Sequence, residues 1–214
     1  MKKTQEKILT NAIKLFNRKG VSNVRLQDIA SEAAISPGNL SYHYKTKKDL
    51  IAAVIDFMLD RFTRMSNWSL AALGKDDHIT LIRDYVSFQI SHRFFNRDIL
   101  EIVKLVPSAQ ETYEKQMHHV QNFSKNGMYL AVGKGLMKPE PYEGHFDCYA
   151  KIIWSILNSR LIEREVLGDD KVSLQDIIST IWEYNQPYLT AKGKLLFEEI
   201  SKKLPELVNK EVAS

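Results

Sequence analysis

The chain has 214 residues and a mass of 24.7 kDa, enough for one large domain or for a small module attached to a larger one. Hydrophobic residues make up 44% and charged residues 26%, which excludes a disordered tail protein. Only nine Gly and six Pro are present, so few turns are expected and a mostly helical fold is predicted. The single cysteine, Cys148, cannot form an intramolecular disulfide, which fits a reducing cytoplasm. No apolar run approaches the roughly 18 residues of a membrane span, and we expect no signal peptide.

The charge is distributed unevenly along the chain. Residues 1–48 carry ten Lys or Arg and three Asp or Glu, a net charge of +7, so the remainder sums to −3 against +4 overall. A basic quarter on a slightly acidic body is typical of a nucleic-acid-binding head. A solvated charge run would give the same totals, and on the charge alone it is the favoured interpretation.

Three helical patterns open the chain. Apolar residues recur at helical spacing from Thr4 to Lys19, and Gly20 follows as a stop signal. A shorter pattern covers Leu26 to Ala33, and a third helix is expected from Pro37 to about Tyr44. Two short helices joined by a tight turn, after a longer helix that covers them, predict a helix-turn-helix.

The third helix has a clear start and a polar outer face. Ser36 can act as its N-cap, and Pro37 falls at the first helical position, where a missing N–H has no consequence. Leu40 and Tyr44, four residues apart, are sufficient for contact with the core. The residues left to face outward are Gly38, Asn39, Ser41, Tyr42 and His43.

From Ile29 to Leu50 the sequence resembles the DNA-binding head of the TetR family of one-component transcriptional regulators. The resemblance lies in Ala33-Ala34-Ile35-Ser36-Pro37-Gly38-Asn39-Leu40-Ser41-Tyr42-His43-Tyr44, with its aromatic, His, aromatic run, and in Lys47 at the start of a fourth helix. It covers about a quarter of the chain, roughly residues 4–55. Two positions differ: Arg25 replaces the usual Thr or Ser cap, so the second helix is expected to be either frayed or capped by Asn23, and Ala34 replaces a common Gly.

The rest of the chain is predicted to be helical, giving an all-α fold with a head at residues 1–48 and a body at residues 49–214. The fourth helix is expected to run from Lys47 to about Leu73, with a linker at Lys138–Gly144 and a tight loop at Val166–Lys171. Further helices are predicted at about His78–Phe95, Asp98–Leu105, Ser108–Leu136, Gly144–Leu167, Leu174–Leu189 and Gly193–Val208.

The predicted DNA site centres on the amino end of the third helix, which enters the major groove in this motif. Asn39 can pair with adenine, Ser41 can donate or accept, and Gln27 on the second helix can reach a neighbouring base. The resemblance implies backbone contacts for the positions of Tyr42 and Lys47, whereas packing of Tyr42 and His43 against the fourth helix is the alternative. The free amides at the start of the fourth helix are expected to add an anion site. The phosphate contacts are predicted at Tyr42, His43, Thr46, Lys47 and Lys48, with Ser36 and Gly38 completing the site.

Two late helices have apolar residues on more than one side and should therefore cover two surfaces. We expect the second face to form a four-helix subunit interface, as the resemblance to the TetR family also implies. A two-fold dimer would place its reading helices about 34–36 Å apart and predicts a palindromic operator in double-stranded DNA. The predicted interface residues are Ile153, Ile156, Leu157, Leu161, Ile178, Ile181 and Trp182.

The body also has aromatic, Met and polar residues suited to an apolar pocket with a few orienting groups. Plain core is the alternative for each of them, but the resemblance implies that the body binds a small-molecule effector. The predicted ligand-binding residues are Tyr85, Phe88, Gln89, His92, Tyr113, Met117, His118, Trp154 and Asn158.

No catalytic motif was found: the sequence has no Glu-x-x-His, His-Glu-x-x-His, Gly-x-Ser-x-Gly or Gly-rich phosphate loop. His145 and Cys148 form a possible metal half-site with His118 and His119, but Cys148 is more simply a buried small hydrophobe, so no metal and no cofactor is expected. The sequence therefore predicts a non-enzymatic cytoplasmic regulator, a repressor that binds its operator as a homodimer and is released by an effector. The alternatives are an accessory DNA-binding regulator whose body binds a protein, and a helical enzyme.

Overall fold

The computed structural model describes residues 3–65, 77–168 and 172–209, and these ranges are helical throughout apart from their connections. The predicted all-α class is confirmed. Within the described ranges the only extended pairing is an isolated antiparallel bridge between Met137 and Leu189. The chain divides into two compact units: unit 1 comprises Met1–Asn67 and Ser91–Glu114, and unit 2 comprises Trp68–Ile90 and Lys115–Ser214. The predicted boundary after residue 48 stays a prediction.

The first three helices agree with the predicted ranges to within one residue at each end. The predicted end of the fourth helix at Leu73, and residues 169–171 of the predicted tight loop, lie outside the described residues. The helices are α1 Lys3–Lys19, α2 Leu26–Glu32, α3 Pro37–His43, α4 Lys47–Met65, α5 Asp77–Ser91, α6 Arg93–Arg97, α7 Ile99–Leu105, α8 Ala109–Gly133, α9 His145–Leu167, α10 Leu174–Glu183 and α11 Ala191–Asn209.

Two predicted helices are shorter than expected. The single helix predicted over His78–Phe95 is interrupted at His92, whose φ of −123° and ψ of 27° are not helical. The helix predicted over Leu174–Leu189 ends at Glu183 and is followed by a 3-10 turn at Gln186–Tyr188. Pro187 explains this second difference, because proline has no N–H to continue the helical ladder and disfavours helix in the residue before it.

Helix α8 ends three residues before the predicted Leu136. Gly135 has a φ of 69°, in the left-handed region that ends helices and suits glycine. The amide of Leu136 donates to Ala131 O at 2.8 Å, so the last turn is closed by backbone hydrogen bonds. The chain then leaves the helix toward the loop that precedes α9.

Unit 1 is organised around α1, which contacts α2, α4 and α6. Ile8, Ala12 and Phe16 are fully buried, and their spacing of four residues places them on one side of α1. The Phe16 ring meets the Phe94 ring of α6 with centroids 5.5 Å apart. The amphipathic pattern of α1 therefore serves the helix-turn-helix and α6 together.

Unit 2 has its own core, in which α10 contacts α9 and α11. Ser173 caps α10 by accepting the Asp176 amide at 3.1 Å, and Ile177 and Ile178 follow fully buried. Trp182 stacks on Phe197 of α11 with centroids 4.9 Å apart. Among the described helices of both units, none is long and apolar enough to span a membrane.

Candidate nucleic-acid interface

Helix α3 is anchored as the sequence predicted. Ser36 Oγ accepts a hydrogen bond from the Asn39 amide at 3.2 Å, and Pro37 lies in the first turn. Leu40 and Tyr44 are buried, and burial raises the pKa of the Tyr44 phenol. The N-cap and these two core contacts fix the axis and the rotation of α3, so its remaining side chains project from a defined surface.

The outward face of α3 is open to solvent. Gly38, Asn39 and Ser41 are exposed, as is Gln27 on α2. Tyr42 is 83% exposed and makes an edge contact with the His43 ring at 5.3 Å between centroids. Packing of Tyr42 against the fourth helix is therefore excluded, whereas His43 is half-buried beside Tyr42 and Tyr44.

The turn between α2 and α3 requires a left-handed residue. Ala34 has a φ of 48°, and the amide of Ile35 donates to Ala30 O at 3.0 Å to close the end of α2. A residue with a Cβ is strained there, which explains why glycine suits the equivalent position of the resembling family. Ala34 nevertheless keeps the turn tight enough to set α3 against α2, which it contacts.

Helix α2 is not capped by Asn23, so that expectation was wrong. The Asn23 side chain instead donates from Nδ2 to Lys19 O at 2.9 Å, so it caps a carbonyl at the end of α1. The start of α2 is stabilised from inside the helix, where the Asp28 carboxylate accepts the Arg25 amide at 2.8 Å. This acidic side chain in the first turn supplies the reciprocal half of a capping box, in which Arg25 has no hydroxyl for the other half.

The start of α4 carries a second cap. Thr46 Oγ1 accepts the Asp49 amide at 3.1 Å, and Asp49 Oδ2 accepts the Thr46 amide at 2.9 Å. The Asp49 carboxylate therefore lies where the free amides of this helix were expected to attract a phosphate. Lys48 is exposed beside it, so the positive charge at this helix start comes from side chains.

Lys47 is held by the turn between α1 and α2. Its Nζ donates to Ser22 O at 3.1 Å, and its side chain is half-buried. This burial lowers the pKa of Lys47, while the charges of Glu101 and Asp28 act in the opposite direction. The sequence identified Lys47 but gave no indication of its acidic neighbour from α7.

Residues 91–101 hold the end of α1 through contacts that sequence reasoning missed. Arg97 Nη2 donates to Phe16 O at 2.7 Å and its Nη1 to Asn17 O at 3.0 Å. Asp98 Oδ2 accepts the Val21 amide at 2.8 Å and also pairs with Arg97. The adjacent opposite charges of Arg97 and Asp98 are visible in the sequence, but their partners lie about eighty residues away along the chain.

The predicted ligand-binding residues fall in both units. His92 and Tyr113 belong to unit 1, and the other seven to unit 2. In unit 2, Gln89 is only 2% exposed and donates to Tyr85 Oη at 2.5 Å. The same unit contains a buried amide that was not predicted, Gln116, whose Oε1 has no hydrogen-bond partner. Phe88 and Trp154 are buried, Tyr85, Met117 and Asn158 are half-buried, and His118 is exposed.

Most of the predicted interface residues are buried in the core of their own chain. Five of them, Ile153, Leu157, Leu161, Ile178 and Ile181, belong to the buried core of unit 2, and Ile156 and Trp182 are half-buried against it. The two apolar stripes of α9 do not distinguish neighbouring helices of one chain from a second chain. A different stripe of α9 is exposed and consists of Ile152, Ser155, Ser159, Ile162 and Val166.

Cys148 is exposed, so its prediction as a buried hydrophobe was wrong. It lies in the first turn of α9, on the side of the helix that faces solvent. The nearby His145 ring packs against Tyr142 and Tyr188, with centroids 4.9 and 5.4 Å away. Within residues 3–65, 77–168 and 172–209, no three His, Cys, Asp or Glu side chains are grouped so that they could hold a metal ion.

Helix α3 is capped and has an exposed polar face, a tight turn precedes it, and only helices follow in the described ranges. These features define the class of helix-turn-helix DNA-binding proteins. Comparison with known families is specific about the subclass. The family described as bacterial regulatory proteins, tetR family, matches residues 8–54, and that described as bacterial transcriptional repressor matches residues 57–197. The chain therefore belongs to the TetR family of DNA-binding transcriptional regulators.

Individual relatives agree with this assignment. The HTH-type transcriptional regulator CymR of Pseudomonas putida is 25% identical over 161 residues, which are 73% of this chain and 75% of CymR. A TetR-family regulator from Marinobacter aquaeolei VT8 superposes with a TM-score of 0.79 at 22% identity, covering 94% of this chain and 98% of that one. A transcriptional regulator from Saccharomonospora viridis, solved in complex with choline, gives 0.66 at 17% identity over 86% and 96%. At these identities the two structures show the shared fold alone.

Proposed function

We propose that this regulator is a repressor that binds a palindromic operator in double-stranded DNA as a homodimer and is released by a small-molecule effector. It acts in the cytoplasm, where bacterial DNA lies. The observation that carries the proposal is the exposed polar face of α3, held in place by the Ser36 cap and by buried Leu40 and Tyr44. A helix fixed in this way presents its side chains to a groove without the entropy cost of ordering its backbone on contact.

The exposed residues divide by chemistry into two groups. Asn39, Ser41 and Gln27 carry groups that can pair with base edges and would specify sequence. Tyr42 and Lys48 reach phosphates, because one is an exposed hydroxyl on an aromatic ring and the other an exposed cation. Lys47 is a third phosphate contact, through the ammonium donors that Ser22 O leaves unused. The remaining members of the predicted site, Ser36, Gly38, His43 and Thr46, shape the surface or position these groups.

Dimerisation is supported by the outer stripe of α9. Its members Ile152, Ser155, Ser159, Ile162 and Val166 are spaced by three, four, three and four residues, the repeat of a helix that packs on another helix. Ile162 and Val166 are 58% and 75% exposed, which leaves apolar surface for a partner to cover. We propose a second copy of the chain as that partner, with the small Ser155 and Ser159 allowing close approach of the two helices.

An effector site in the body is supported by buried polar groups. Gln89 and Gln116 are 2% and 3% exposed, and the Oε1 of Gln116 is a buried hydrogen-bond acceptor without a partner. Such a group is costly to bury unless something bonds to it. Binding of the effector and of the operator must then weaken each other by the same factor, typically about 5- to 150-fold.

The test is a gel-shift titration of the purified protein on its own upstream DNA, from about 50 mM to about 200 mM salt, with the oligomer mass measured in the same buffer. Asn39→Ala should relax base preference, with discrimination reduced by about 5- to 150-fold at the contacted position. Lys47→Ala should weaken binding to all sequences and lower the salt slope by about one. Lys194→Ala, an exposed cation on α11, is the control for charge.

Tight binding by a dimer to a palindrome, followed by release in a small-molecule screen, supports the proposal. Equal losses for Asn39→Ala and Lys47→Ala on specific and random DNA would contradict the division of roles. Binding of DNA without any ligand-dependent release, together with capture of a defined protein by the body, would favour the accessory regulator.

A further inference from the structure

Ser22, in the turn between α1 and α2, is held from two sides by opposite charges. Its carbonyl oxygen accepts a hydrogen bond from Lys47 Nζ at 3.1 Å, and its hydroxyl donates to Glu101 Oε2. Lys47 opens α4 and Glu101 lies on α7, so one exposed serine joins three elements of unit 1. The Glu101 carboxylate and the Lys47 ammonium group are therefore both hydrogen-bonded to Ser22.

The surroundings of Ser22 are open and carry further charges. A cleft of about 340 Å³ is lined by Ser22 and Glu101 and by two cations of α1, Arg18 and Lys19. Arg97 and Asp98 also line it, but their charges are paired with each other. Among the residues that line the cleft, Arg18 is paired with Glu32 and Asp98 with Arg97, whereas the Glu101 carboxylate accepts the Ser22 hydroxyl.

We propose that Glu101 lowers the affinity of the head for the DNA backbone by occupying Ser22 and partly neutralising Lys47. Glu101 is a positioning residue in this role, since it acts through Lys47 and Ser22 and does not touch DNA. The inference rests on the proposed phosphate role of Lys47. It gives residues 91–114, which lie outside the helix-turn-helix sequence, a direct influence on how tightly the head holds DNA.

The physical basis is competition between two anions for one cation. The Lys47 ammonium has three donors, of which one is used by Ser22 O, so a phosphate can still bind to it. That phosphate must approach a fixed negative charge on Glu101, and the repulsion falls with distance and with salt. Because phosphates are the same at every base pair, the effect is independent of DNA sequence.

The experiment compares Glu101→Gln with Glu114→Gln in the full-length protein. The glutamine at 101 removes the charge but can still accept the Ser22 hydroxyl, so the turn keeps its hydrogen bond. Glu114 is an exposed acid of unit 1 on α8 that bonds Gln110, and its replacement changes the net charge of the protein by the same amount. The probes are the upstream duplex and a random duplex of equal length, over a salt series.

We expect Glu101→Gln to tighten binding to both duplexes by roughly three- to tenfold at low salt relative to Glu114→Gln, and the difference to shrink as salt rises. In a Lys47→Ala background the same change should give no more than the Glu114→Gln control. Thermal unfolding of each variant checks that the fold is unchanged.

Equal affinities for Glu101→Gln and Glu114→Gln, with Lys47→Ala still weakening binding, would overturn this inference and leave the proposed function intact. An unchanged Lys47→Ala would remove the phosphate role on which the inference rests. A wild-type protein that binds neither duplex would contradict the proposed function itself.

Discussion

Asn17 is the residue through which the end of α1 reaches residues 91–94. It is 8% exposed, its Nδ2 donates to Ser91 O at 2.7 Å, and its Oδ1 accepts the Phe94 amide at 3.1 Å. One amide side chain therefore bonds the last residue of α5 and the first turn of α6, on both sides of the break at His92. Only a side chain with a donor and an acceptor can do both.

Replacing Asn17 by Leu removes both hydrogen bonds. The Phe94 amide is buried and loses its partner, which costs about 1–3 kcal/mol, and loss of the bond to Ser91 O adds about 0.5–1.5 kcal/mol. We expect Asn17→Leu to reduce the free energy of unfolding by about 2–4 kcal/mol. For a chain of this length that corresponds to a lower Tm by roughly 4–16 °C.

The measurement is thermal and urea unfolding followed by circular dichroism, with Asn11→Leu as the matched control on the same helix. The Asn11 side chain donates from Nδ2 to Lys7 O at 2.8 Å, one turn earlier in α1, so this hydrogen bond stays within one helix. Its replacement should change stability by no more than about 0.5 kcal/mol. If Asn17→Leu is no less stable than Asn11→Leu, the role assigned to the two long-range hydrogen bonds is wrong.

Two further predictions concern backbone geometry. Ala34→Gly should raise the free energy of unfolding by about 0.5–1 kcal/mol in urea titrations, because Ala34 is strained at a φ of 48°; a less stable variant would contradict this. Gly193→Ala should lose about 2 kcal/mol or more, since a Cβ there would lie 1.9 Å from Leu136 O. Gly127→Ala, with open space around it, should instead gain about 0.5–1 kcal/mol, and equal melting temperatures for the two would refute the reasoning.

Local signals were sufficient to predict the helix-turn-helix. The cap at Ser36, the proline after it and the pair Leu40 and Tyr44 act within a few residues of one another, and each lies where it was expected. The same holds for α9, which begins one residue after its predicted start and ends at Leu167 as predicted. Helices form from contacts between residues three and four apart, which are visible in any single sequence.

Long-range contacts were not predictable in the same way. The period of apolar residues continues through His92, so the sequence favoured one helix where the structure has α5 and α6. The break is stabilised by Asn17, whose position some 75 residues earlier carries no local mark. The interface residues failed to stand out for a related reason: burial by a helix of the same chain and burial by a second chain leave the same apolar pattern.

The end of α1 is held by residues that lie outside the predicted head. The Phe16 carbonyl already accepts the Gly20 amide at 2.9 Å, but the Asn17 carbonyl is among the last of α1 and would need water or a cap if α1 ended in solvent. Arg97 supplies that cap, and Asp98 and Glu101 hold the next turn through Val21 and Ser22. If residues 97–101 moved, the charged hydrogen bonds that they make to the end of α1 and to the turn after it would therefore break. The proposed coupling between effector binding and operator binding requires two discrete conformations of the protein. We expect these hydrogen bonds to stabilise one of the two.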